Sequence, residues 1–91
     1  MKPLPHHWTR EDDLVVLYVY RFGTDKLGCE IQDIAKSKGI SLGSFKLRIQ
    51  NFAAIDGKGG MDHFAVLSKK VYDQYNQIAE EKLRKLAFPN L

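Results

Sequence analysis

Glycines at positions 23, 39, 57, 59 and 60 cut this chain into four apolar-periodic segments, and that punctuation limits the fold more than any other feature. A glycine inside a helix costs about 1 kcal/mol relative to alanine, so each of these points is a cheap place to stop. The first segment opens at Thr9, a good N-cap, with Glu11, Asp12 and Asp13 at the positive end of the helix dipole. Leu14, Leu17 and Tyr18 follow at helical spacing, and Gly23 ends it. The run from Val15 to Tyr20 is β-branched and aromatic, so a strand competes there, but the cap and the length favour a helix. Trp8, just ahead of the cap, is placed to staple onto the first turn. The second segment covers about Gly28 to Lys38, with Ile31, Ile34 and Ala35 on one stripe and Gly39 as its C′ residue. The third starts on Ser41 and runs to about Ile55. The fourth is read as one long helix from about Asp62 to Leu86, burying Phe64, Leu67, Val71, Tyr75, Ile78 and Leu86. The expectation is an all-α fold: one domain, residues 1–91, a small bundle of about four helices with a flexible stretch over residues 1–7.

At 91 residues such a chain can build one modest core, without a deep walled cavity. Its 44% apolar content is too high for a disordered tail, and no apolar run approaches the roughly 20 residues of a membrane span. The first residues lack the apolar stretch of a signal peptide, so a cytoplasmic setting is expected, with no membrane partner. Cys29 is the sole cysteine, which excludes an internal disulfide or a cysteine metal cluster. The net charge is only +3, but its placement is uneven. Residues 36–58 carry Lys36, Lys38, Lys46, Arg48 and Lys58 against Asp56 alone, a candidate phosphate-facing surface.

Residues 29–55 hold the informative pattern. A short helix ends at Gly39, the connection Gly39-Ile40-Ser41 follows, and a second helix begins on a serine. Helix-turn-helix units join their helices by such a turn, often containing glycine. Ile40 is expected to tuck between the two helices. On a wheel at about 100° per residue, Leu42, Phe45, Ile49 and Phe52 form the inner stripe of the third segment. Gly43, Ser44, Leu47, Gln50, Asn51 and Ala54 fall opposite, with Lys46 and Arg48 on the flanks. Asn pairs with adenine, and Arg and Lys take guanine or phosphate; Leu47 either meets a thymine methyl or packs beneath the fourth helix or a protein partner, the latter two together being favoured. Ser41, Ser44, Lys46, Leu47, Arg48, Asn51 and Lys58 are therefore the candidate contacts to double-stranded DNA, with the helix at about 41–55 in the major groove.

Two stretches carry a family resemblance. His7-Trp8-Thr9-Arg10-Glu11-Asp12-Asp13-Leu14 resembles the opening of Myb/SANT-type helices. The order from Ile34-Ala35 through Ser41-Leu42-Gly43-Ser44-Phe45-Lys46-Leu47-Arg48-Ile49-Gln50-Asn51-Phe52 and Ile55-Asp56-Gly57-Lys58-Gly59-Gly60-Met61, followed by Leu67-Ser68-Lys69-Lys70-Val71-Tyr72 and Tyr75, resembles the helical region that precedes the nuclease domain in some bacterial and phage HNH restriction-type endonucleases. The likeness spans roughly residues 8–76. It implies a DNA-associated helical module, either a regulator or the targeting part of a nuclease system. It implies no catalysis, because His6, His7, His63 and Asn51 do not reproduce the spacing of the ββα-metal nuclease centre.

Nothing else points to an enzyme. No Ser/His/Asp order, P-loop or zinc spacing is present, and Asp56-Gly57-Lys58-Gly59-Gly60 lacks the Gly-Lys-Ser/Thr of a phosphate loop. No catalytic residue, metal ligand or cofactor is expected. Cys29 reads as a small buried apolar residue, His63 as a surface or capping histidine. The competing expectation is a protein-interaction module, a phage-type adaptor or inhibitor. On that reading Tyr72, Tyr75, Leu83, Leu86, Ala87, Phe88 and Leu91 leave an apolar surplus on the C-terminal helix, which pairs two copies or meets another protein.

Overall fold

The computed structural model describes residues 6–59 and 63–90. Within them the chain forms five α-helices and no strand: α1 (Arg10–Phe22), α2 (Ile31–Ser37), α3 (Leu42–Ile55), α4 (Val66–Tyr75) and α5 (Glu80–Ala87). Residues 1–5, Gly60, Met61, Asp62 at the expected start of the fourth segment, and Leu91 lie outside the described residues.

Helix α1 is the centre of the fold. Thr9 Oγ1 accepts from the Asp12 amide at 3.2 Å while the Asp12 carboxylate accepts from the Thr9 amide at 3.1 Å, a capping box that fixes the start. Every residue from Asp12 to Val19 is buried, because α3, α4 and α5 all pack against this helix. A helix apolar on all sides needs such surroundings, and they are what decides helix over strand for the β-branched run. His6 is not part of a solvated tail: its Nε2 lies 2.8 Å from the Asp12 carboxylate, and its ring meets Trp8 edge-on at 5.0 Å.

The link from α2 to α3 follows the sequence closely. Gly39 adopts φ 70°, the left-handed value that glycine meets without strain. The Ile40 amide donates to the Ala35 carbonyl at 2.9 Å and the Gly39 amide to that of Lys36 at 3.1 Å, a Schellman closure. Ile40 is buried, as expected, and Ser41 Oγ accepts from the Ser44 amide at 3.1 Å to open α3. The start of α2 is later than the periodicity suggested. Gly28 has φ 70°, which no right-handed helix admits, so α2 begins at Ile31 with the Asp33 carboxylate accepting from the Glu30 amide.

The single long fourth helix is two. Residues 76–79 form a turn between α4 and α5, with no glycine or proline to announce it. The break is made by α1. Arg21 donates to the carbonyls of Tyr75 and Ile78 at 3.1 and 2.7 Å, and the Tyr18 hydroxyl donates to Glu80 at 2.6 Å. An unbroken helix over residues 62–86 would run roughly 37 Å, overshooting α1. The turn instead brings Leu83 back into full burial and sets Phe88 edge-on to Tyr18 at 5.5 Å. Val71 is buried as expected, whereas Phe64 precedes α4 and stays exposed, and Leu86 is exposed on α5.

Candidate nucleic-acid interface

Asp13 sits within the apolar surface of α1, three and four residues ahead of the fully buried Val16 and Leu17, and is itself fully buried. A carboxylate in that position requires a partner. Arg48 supplies it: Nε and one terminal nitrogen donate to the two Asp13 oxygens at 2.8 and 2.7 Å, a bidentate fork. The Ser68 hydroxyl of α4 lies 3.3 Å from both oxygens, and the guanidinium rests 4.4 Å above the Trp8 ring. Only 11% of the Arg48 side chain is exposed. The residue expected to reach guanine or phosphate is thus a cross-link from α3 to Asp13 of α1, and Asp13 in turn carries the bond to α4.

Asn51 has a similar fate. Its Oδ1 accepts from the Ala65 amide at 2.7 Å and its Nδ2 donates to the Leu47 carbonyl at 3.1 Å. The residue is 9% exposed, so its amide is spent on fastening the chain just ahead of α4 and is not open to a base edge. The physical reason covers both residues. The wheel assumed one neighbour for α3, but α3 packs against both α1 and α4, which converge on the flank holding Arg48 and Asn51. Asp13 was the available signal: a carboxylate at apolar spacing asks for a basic partner elsewhere in the chain.

The remaining candidates do face outward. Ser41, Ser44 and Lys46 are exposed, and Leu47 is 57% exposed. Gly43 and Gln50 share that surface, and no carboxylate occurs from residue 34 to residue 55. Lys58 is exposed beyond the end of α3, 3.4 Å from Asp56. Lys38, by contrast, is drawn to Asp12 at 3.0 Å. Lys36 and Lys46 have no ion-pair partner among the described residues. The open surface of α3 is therefore weakly basic, with small, amide and apolar side chains.

The other carboxylates at the helix junctions are structural. Asp56 accepts from the hydroxyls of Tyr72 and Tyr20 at 2.6 and 2.7 Å, which hold it below its ordinary value. Glu80, bonded by Tyr18 and then by Arg84, is held down at about 2. Burial pushes the Asp12 carboxyl up, but His6, Lys38 and the Thr9 amide outweigh it and the net shift is downward. No group of three or more His, Cys, Asp or Glu side chains is arranged to hold a metal among the described residues. Cys29 is a half-buried free thiol, more open than expected, on a groove of about 660 Å³ walled by Val15, Ile34, Leu86 and Phe88. His63 is exposed in the segment before α4. No helix among the described residues is long and apolar enough to cross a membrane.

No protein-family model matches the chain, and neither a curated protein nor a solved structure matches it.

Proposed function

We propose that the chain is a non-catalytic DNA-binding module of the helix-turn-helix kind, with α2 and the turn at Gly39 presenting α3 to the major groove of duplex DNA. One observation carries this reading: the one long face of α3 left open by its neighbours bears Ser44, Lys46 and Gln50 in a stretch free of carboxylates. A surface of that sign suits a polyanion, and serine and glutamine suit base edges. Ser41, Ser44, Lys46 and Leu47 are the contacts, and Lys58 reaches a phosphate beyond the helix end. Arg48 and Asn51 act behind them, holding α3 at its angle. The resemblance to the region preceding HNH nuclease domains supports the same reading, with a cytoplasmic regulator or a nuclease-targeting part as its setting.

The test is fluorescence anisotropy with a mixed-sequence duplex across a salt series. Log K should fall with log salt, at about −0.9 per phosphate contacted. Lys46→Ala with Lys58→Ala should reduce the slope by about 2. Absence of binding at low salt, or binding indifferent to salt, overturns the reading.

A second reading has an observation of its own. Leu47, Phe64 and Val66 are exposed around the Asn51 tether, Val66 at 71%. A protein partner or a second copy would bury that patch. It adds to the surplus expected on the C-terminal helix, of which Leu86 is exposed while Leu83 is buried and Phe88 is packed. Light scattering at rising concentration with Leu47→Ser and Val66→Ser decides it: self-association lost in both variants favours the second copy, and a monomer throughout opposes it.

A further inference from the structure

We infer that α3 selects A·T base pairs, with Leu47 against a thymine methyl, Gln50 on adenine, and Gly43 at the point of closest approach. This rests on the reading of α3 as a groove helix and adds what that helix would prefer.

Arg48 and Asn51 are both tied inward and leave base reading to their neighbours. Guanine offers two acceptors, O6 and N7, and bidentate arginine is its commonest reader. Arg48 is the sole arginine of α3, and both arms of its fork are held by Asp13. Lys46, the cation left outward on this face, is assigned to a phosphate, and the other outward side chains have a different chemistry. The Gln50 amide offers a donor and an acceptor side by side, which match adenine N7 and N6. Leu47 is apolar and 57% exposed, and among base edges only thymine presents a methyl group in the major groove. The two residues are three apart, hence neighbours on the helix surface, within reach of adjacent base pairs.

Gly43 is the independent support. Gly43 is the second residue of α3, where glycine costs less than in a helix interior but is still less favourable than alanine. Nothing inside the protein calls for it here. Its φ is outside the left-handed region, and a Cβ built at Gly43 meets no atom within 4 Å. On the wheel Gly43 lies between Leu47 and Gln50, within about 60° of both. A residue that weakens its own helix and relieves no internal clash is explained by something outside coming close.

The experiment is selection of the wild-type protein on a random duplex pool, followed by binding to the enriched duplex with thymine replaced by deoxyuracil. An A·T-rich core should be enriched. Removal of the contacted methyl should weaken wild-type binding about fourfold, the worth of one buried methyl, and should leave Leu47→Ala unaffected. Gln50→Ala should lose the preference for A·T over G·C. Gly43→Ala should leave the melting temperature unchanged or raise it by up to about 4 °C while lowering DNA affinity severalfold, an opposition that a purely structural glycine does not produce. Enrichment of G·C cores, uniform binding of the pool, equal affinity for thymine and deoxyuracil duplexes, or Gly43→Ala with undiminished affinity overturns the inference and leaves DNA binding standing. No binding to any duplex at low salt overturns both.

Discussion

Arg48→Ala separates the two roles this residue could have. Were it a surface reader of DNA, its loss would change stability by no more than about 0.5 kcal/mol. The geometry demands far more. Asp13 is fully buried, and without Arg48 its carboxylate keeps only the Ser68 hydroxyl at 3.3 Å. Removing one partner of a buried ion pair typically costs about 3–5 kcal/mol. The lost contact with the Trp8 face adds up to about 1 kcal/mol at a partly open site. A domain of this size has only about 5–14 kcal/mol in total, so the variant should lose a large share of its stability. Urea denaturation followed by far-ultraviolet circular dichroism measures it. With a slope near 1.5 kcal/mol/M, the midpoint should fall by roughly 2–4 M. The double variant Asp13→Leu, Arg48→Met should recover much of the loss, because it removes both charges and leaves neither stranded. A midpoint for Arg48→Ala within about 0.5 M of wild type, or a double variant costing the sum of the two single changes, would refute the cross-link.

Asn51→Ala should cost about 1–3 kcal/mol in the same assay, since it strands the Ala65 amide; wild-type stability would show that the tether does not form. Acid should weaken the fold in a defined window. Glu80 sits at about 2 when folded against an ordinary 4.5, so its contribution is complete above 4.5 and disappears as pH falls toward 2. Glu80→Gln should flatten that limb of a melting-temperature profile, leaving the share owed to Asp12 and Asp56, and an unchanged limb counts against the assignment. Alkali should act in the opposite sense. Burial first, then the bonded carboxylates of Glu80 and Asp56, raise Tyr18 and Tyr20 from 10.0 to about 12. Their stabilisation is complete below pH 10 and is lost between 10 and 12, a loss that Tyr18→Phe with Tyr20→Phe should abolish in thermal melts across that range.

Local signals carried most of the fold. Thr9, Ser41 and Gly39 act through bonds that span only a few residues, so the ends of α1, the turn and the start of α3 were readable from neighbours alone. The break after Tyr75 was not, because its cause is Arg21, 54 residues away in sequence, whose side chain collects the carbonyls. The candidate interface divided along the same line. Ser44, Lys46 and Leu47 are outward because nothing long-range among the described residues covers them, and a wheel suffices for such residues. Arg48 and Asn51 have partners 35 and 14 residues distant, and those partners decide where their side chains go. A polar side chain on a helix flank is legible only when the element beside that flank is known.

The proposed function sets the open surface of α3 against duplex DNA, and amide chemical shifts report such a contact residue by residue. In a nitrogen–proton correlation spectrum of the full chain titrated with a mixed-sequence duplex at low salt, Ser44, Lys46, Leu47 and Gln50 should move most, while Val16, Leu17 and Leu83 in the core stay still. Shifts confined to the groove around Cys29, Leu86 and Phe88, or no shifts at all, would contradict it.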